Sequence, residues 1–203
     1  MTPVLHLAPG TISLCVHAAL AEANLPHELR WLDFKAGAQH GADHLALNPK
    51  GRVPVLVTDD GPLTEAAAIL EWIAETAYPD LMPADRWQAA KAREMMLYLA
   101  STVHVNHAHK LRGSRWADDT EAHAAMRAKV AENMAENAAY LEDRLTDDWV
   151  VADFSAADLY LWNVTRWLPG DGVPLEGYPR LAAHHDRVAA RPAVAGVIAL
   201  HGG

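Results

Sequence analysis

Three stretches carry residues whose types and spacing could do chemistry. Pro9-Gly10 is followed at once by Thr11, Ser13 and Cys15, two hydroxyls and the single thiol of the chain. A hydroxyl near a helix start can cap that helix, and it can also donate a hydrogen bond to an anion held there. Thr64-Glu65-Ala66 precedes an apolar run and reads as a second helix start. Free amides at such an end favour an anion, and the acidic side chain either contacts a ligand or only complements the helix dipole. His104, His107 and His109 crowd one stretch. His104 and His107 are three apart and share a helix face, as metal ligands can. No carboxylate or cysteine nearby completes a ligand set, so no metal is expected.

These residues need elements to position them. Val4-Leu5-His6-Leu7 reads as a strand ended by Pro9-Gly10. Ile12, Leu14, Cys15, Ala18, Ala19 and Ala23 fall on one helical face, with Thr11 as N-cap and Pro26 beyond the end. That face places Cys15 in the core. Residues 27–34 suit a strand moderately, Val53–Val57 strongly, and Asp59-Asp60-Gly61 turns the chain into a short strand at Leu63. A helix then runs to about Ala77. Strand, helix and strand at the start imply a parallel pair, and the tight turn implies a hairpin. The first part is therefore expected to be α/β, over residues 1–77, with residues 78–83 as a proline-bearing linker. From 84 to 203 strand signals nearly vanish and alanine abounds, which predicts a helical bundle. Its helices are expected at 84–109, 118–145, 156–167, 178–190 and 192–200. Ser155 with Asp158 forms a capping box at the third.

Composition narrows the classes. The 203 residues are 51% hydrophobic and carry a formal net charge of -9. A sizeable core fits that composition, whereas disorder does not. The acidic balance argues against nucleic acid and anionic membrane surfaces as partners. One cysteine excludes a disulfide framework and a Cys-x-x-Cys redox pair. No signal peptide and no run of about 18 apolar residues is seen. A cytoplasmic location is the expectation.

Four motifs in order carry a resemblance. They are Ala8-Pro9-Gly10-Thr11-Ile12-Ser13-Leu14, Asn48-Pro49-Lys50-Gly51-Arg52-Val53-Pro54, Asp60-Gly61-Pro62-Leu63-Thr64-Glu65-Ala66, and the capping box followed by Leu161-Trp162-Asn163-Val164-Thr165-Arg166-Trp167. Together they resemble the glutathione transferase superfamily, most nearly its bacterial beta class, along almost the whole chain. The resemblance implies a thioredoxin-like N-terminal domain and an all-helical C-terminal domain. It implies a cis bond before Pro54, with the Val53 backbone turned outward to pair with a tripeptide. It implies that Arg52, Val53, Pro54, Glu65 and Ala66 bind glutathione, and that Lys35 approaches its glycyl end. The Ala66 amide would take the γ-glutamyl carboxylate and Glu65 the amine. Many relatives carry serine at the Ala66 position, so one hydrogen bond is missing here.

The catalytic position departs from the pattern. Beta-class enzymes carry a cysteine at the start of the first helix and often a tyrosine at the end of the first strand. Those positions are Ile12 and Leu7. Thr11 is then the first candidate for activating the thiol and Ser13 the second. His104 stands where the family has an active-site histidine. Tyr98, His107 and Trp167 either line a pocket for the second substrate or pack in the core. The resemblance implies a homodimeric enzyme that needs no metal or cofactor beyond glutathione as co-substrate. It would direct the glutathione thiolate at a small hydrophobic electrophile or a peroxide. The rival is a catalytically weak glutathione- or ligand-binding protein with a carrier or regulatory role.

Overall fold

The computed structural model describes residues 1–202. Its four strands are β1 (Val4–Leu7), β2 (Glu28–Trp31), β3 (Val55–Thr58) and β4 (Gly61–Thr64), in the spatial order β2-β1-β3-β4. β1 and β2 are parallel because the helix α1 (Ser13–Glu22) carries the chain back between them. β3 and β4 form the antiparallel hairpin that Asp59-Asp60 predicts, and β3 also runs antiparallel to β1. A short helix α2 (Ala42–Leu47) lies in the loop before β3, and α3 (Ala66–Thr76) follows β4. This is the expected thioredoxin-like mixed sheet with helices.

The helical part comprises α4 (Arg86–Tyr98), α5 (His104–Ala108), α6 (Thr120–Arg144), α7 (Ala156–Thr165), α8 (Pro179–Ala189) and α9 (Pro192–Leu200). Among the described residues, no helix is long and apolar enough to cross a membrane. The expected helix over 84–109 is interrupted by a π-helical turn at Leu99–Val103. Such turns insert one residue per turn and re-aim the side chains that follow.

The chain divides into two compact units that differ from the expected division. One is Met1–Ala84 together with the stretch from Ala189; the other is Asp85–Val188. Two expectations change. Residues 78–83 are not a free linker, because Pro79–Leu81 is a helical turn packed on α3 with Leu81 fully buried. The last helix, expected in the bundle, packs on α1. Arg191 makes a two-pronged pair with Glu22, at 2.7 and 2.8 Å. His17 Nδ1 meets His201 Nε2 at 3.0 Å. Covered by α3 and α9, α1 buries every residue from Ser13 to Leu20, not one face alone. Each leucine so buried contributes roughly 1.5–3 kcal/mol.

In the helical unit, α7 is buried along its whole length. Ser155 and Asp158 form the expected capping box. The Ser155 N–H donates to Asp158 at 2.8 Å, and so does the Val150 N–H. His184 Nε2 on α8 lies 2.9 Å from the same carboxylate. The cap is thus also the tie between α7, α8 and the preceding loop.

Candidate functional site

Strand register brings four sequence segments to one end of the sheet. Leu7 pairs with Trp31, His6 with Val55, and Val55 with Thr64. The Ala8–Ile12 loop, the Leu32–Lys35 segment, Val53-Pro54 and Glu65-Ala66 all begin or end at that edge. Ala8, Leu32 and Val53 share one apolar cluster, with Phe34 packed against it.

The loop after β1 is organised by hydroxyls. Gly10 has φ +70, a conformation that an L side chain rarely adopts, and it lets the chain turn into α1. Thr11 Oγ1 and Ser13 Oγ are 2.6 Å apart. Thr11 Oγ1 donates to the Ala8 carbonyl at 2.8 Å, and Ser13 Oγ reaches it at 3.3 Å. The Ala8 N–H donates to Ser13 Oγ at 3.3 Å. Thr11 is not the formal N-cap: α1 starts at Ser13 after Ile12 in helical conformation. The Thr11 hydroxyl still accepts from the Ser13 N–H at 3.3 Å. Ser13 is fully buried, whereas Thr11 is part-exposed. Leu7 and Ile12 are buried in the core. Cys15 is also buried, its thiol donating to the Ile12 carbonyl at 3.0 Å, and burial pushes that thiol up.

The Val53–Pro54 peptide is cis. The Arg52 carbonyl is held from two sides, by Asn48 Nδ2 at 2.8 Å and His44 Nε2 at 3.0 Å. Because a carbonyl only accepts, His44 carries its proton on Nε2 there. The Arg52 and Lys35 side chains are exposed, and the Lys35 N–H is tied to Asp33 at 2.8 Å.

Glu65 caps α3 with φ +70 and ψ 117, an uncommon conformation for a residue with a side chain. Local strain of this kind clusters at ligand sites. No side chain caps α3, so its first-turn amides, beginning with Ala66, have no partner within the helix. The Glu65 carboxylate accepts from Lys50 Nζ at 2.6 Å, and the same ammonium donates to Thr64 Oγ1 at 2.8 Å. Lys50 was missed as a site residue. The signal was present, since Lys50 stands inside the Asn48–Pro54 motif, but nothing local says which acid it meets.

The helical unit holds a second cluster. The His107 ring stacks on the Trp167 indole at 4.3 Å and 15°. His104 lies 4.9 Å from the same indole and 6.5 Å from His107. His107 Nδ1 is 2.6 Å from Asp171 Oδ2, and Lys110 Nζ is 3.1 Å from Oδ1. Asp171 was missed because Pro169-Gly170-Asp171-Gly172 reads only as a turn. Tyr98 does not join this cluster through any such contact. Its hydroxyl donates to Asn137 at 3.0 Å and its ring meets Tyr140 at 4.7 Å, in a cleft of about 90 Å³ beside Lys91 and Arg144. Burial pushes the Tyr98 phenol up. Among the described residues, no three metal-ligating side chains converge.

Comparison with known proteins shows the family and the fold. Residues 4–75 match the model of the glutathione S-transferase N-terminal domain, and residues 106–199 match that of the C-terminal domain. The glutathione S-transferase GstA of Escherichia coli O157:H7 is 33% identical over 96% of both chains. A glutathione transferase homologue from Sulfitobacter, solved with bound glutathione, is 44% identical over 98% of both chains, with a TM-score of 0.95. A beta-class enzyme from Sphingomonas chungbukensis is 29% identical over 98% of both chains, with a TM-score of 0.84. With both halves matched and near-full-length likeness at this identity, the chain belongs to the glutathione S-transferase family.

Proposed function

We propose that the chain binds glutathione at the sheet edge of its N-terminal unit and ionises its thiol for attack on a small hydrophobic electrophile. The observation that carries this is the meeting of four segments at one end of the sheet, beside an uncapped helix end. The Val53 main chain pairs with the tripeptide like an added strand. The Ala66 amide takes the γ-glutamyl carboxylate, and Glu65, released from Lys50, takes the amine. Lys35 and Arg52 meet the glycyl end. His104 and Trp167 line the electrophile site. A homodimer in the cytoplasm is part of the same reading.

Thr11 is the activating residue and Ser13 its support. A free thiol has pKa about 8.5, and making the thiolate dominant at pH 7 takes roughly 2.7 kcal/mol. One hydrogen bond to the charged sulfur supplies about 1.5–3 kcal/mol, and a helix N-terminus up to about 1. Thr11 must turn its proton from the Ala8 carbonyl to the sulfur. Ser13, already within 3.3 Å of that carbonyl, keeps it satisfied when Thr11 leaves.

A second reading has a specific observation behind it. Thr11 already donates to Ala8, and Leu7 and Ile12 offer no polar group. That favours a binding protein without turnover. Calorimetry with glutathione, together with the ultraviolet absorbance of bound thiolate, separates the two. Binding with thiolate present at neutral pH supports the enzyme. Binding without it supports the carrier, and no binding rejects both. In the enzyme, Thr11→Val lowers turnover about 10–100-fold, the worth of one charged hydrogen bond. Ser13→Ala lowers it less. Equal turnover in Thr11→Val and the parent rejects Thr11.

A further inference from the structure

One peptide plane in the N-terminal unit is held more firmly than a loop requires. The Arg52 carbonyl accepts from Asn48 Nδ2 at 2.8 Å and from His44 Nε2 at 3.0 Å. His44 lies on α2 and Asn48 just past its end, so one helix end supplies both donors. The two do different work. Asn48 builds the loop: its main-chain carbonyl accepts from the Gly51 N–H at 2.9 Å, and its side-chain oxygen from the Lys50 N–H at 3.2 Å. The His44 ring makes a single hydrogen bond, the one to Arg52. It is 3% exposed, and its Nδ1 is buried with no hydrogen-bond partner among the described residues. The His6 ring on β1 backs it at 5.6 Å. A buried polar atom left without a partner is unfavourable, so an apolar side chain would fill this place better if packing were its whole role.

What the carbonyl governs is the N–H across the same peptide. Among the described residues the one cis peptide is Val53–Pro54, so the bond between Arg52 and Val53 is trans. In a trans peptide the C=O and the N–H point in opposite directions within one plane. Holding the Arg52 oxygen against α2 therefore aims the Val53 N–H away from α2. No hydrogen bond among the described residues uses that N–H. We infer that His44 is a positioning residue for glutathione: it fixes the Arg52–Val53 peptide plane, so that the Val53 N–H is set before the tripeptide arrives. The inference rests on the glutathione-binding reading and adds to it a buried side chain that acts only through the main chain. A donor fixed in advance spares the ordering that binding would otherwise require. The effect falls on glutathione affinity and not on activation of the thiol, which belongs to the loop at Thr11.

The test uses the full-length protein, with glutathione binding by calorimetry and steady-state turnover of glutathione with chlorodinitrobenzene. His44→Leu fills the space and removes the donor. Its Kd for glutathione should rise about ten-fold, the upper end for one neutral hydrogen bond. The KM for glutathione should rise with it, while kcat at saturating glutathione changes less than about two-fold. His44→Gln carries an amide nitrogen near the place of Nε2 and should bind within about three-fold of the parent. A pure packing role gives the reverse order, with leucine the better filler, and would overturn the inference. So would a loss of kcat at unchanged KM, which belongs to the thiol step. If His44→Leu does not fold by circular dichroism, His44→Asn takes its place. Its amide stops one carbon short, so the same loss is expected, and affinity equal to that of His44→Gln rejects the role. The parent keeps the two levels apart. Glutathione binding by the parent, with the variants all alike, removes only the role of His44; no binding by the parent removes the whole reading.

Discussion

The two units assemble their polar groups in different ways. In the N-terminal unit the candidate site is mostly main chain. It uses the Val53 backbone, the Arg52 carbonyl that His44 and Asn48 hold in place, the Ala66 amide and two hydroxyls only two residues apart. In the helical unit the groups are side chains brought together across sequence. His107 meets Asp171 at a separation of 64 residues, and Asp158 meets His184 at 26. A backbone site tolerates side-chain change, because the donor survives substitution. A side-chain site depends on each member, because removing one leaves another buried without a partner.

The largest expected effect tests the helical half of that contrast. Asp158→Ala strands the Ser155 and Val150 amides and His184 in a buried place. It should cost about 3–5 kcal/mol, as when one member of a buried pair is removed. Urea denaturation measures it. A loss near 1 kcal/mol would mean that only the helix cap is at stake.

Next comes the N-terminal site. Glu65→Gln keeps the shape and removes the charge, so glutathione affinity by calorimetry should fall about 10–100-fold. Lys50→Met breaks only an exposed pair, with side chains 43% and 68% accessible, and should shift affinity by less than about five-fold. Equal losses would make Lys50 a ligand contact and weaken the view that the main chain dominates.

The smallest effect concerns α9 on α1. His17 is 2% exposed, and burial, then His201, then His27, push its pKa down to about 4. The unfolded chain therefore takes up the proton first. The contribution is fully present above about pH 6.5 and is lost as pH falls toward 4. Urea midpoints at pH 7 and near pH 5 should differ more in the parent than in His17→Gln. Identical slopes would remove His17 from the acid sensitivity.

Much of the N-terminal unit was legible because its signals are local. Short β-rich runs marked the strands, Pro9-Gly10 and Asp59-Asp60-Gly61 the turns, and the Asn48–Pro54 motif the cis peptide bond before β3. What residue types did not state is how each polar group is used. Thr11 looked like an N-cap, but the Ala8 carbonyl and Ser13 draw its hydroxyl into a tighter loop. Tyr98 read equally as pocket or core, and its hydroxyl meets Asn137 beside a small cleft. The single cysteine was readable at once, since Cys15 sits on an apolar face and is buried.

By itself the sequence determined the class of each half, the order of elements, the four motifs and the burial of its one cysteine. Periodicity and turn chemistry act over a few residues, so they survive in one dimension. The tertiary structure alone decided that α9 joins the first unit through Arg191 and Glu22, that Lys50 meets Glu65, and that His107 is held by Asp171. Those are pairings of charges and rings far apart in the chain. Any of several acids could have met each base, and only packing selects one.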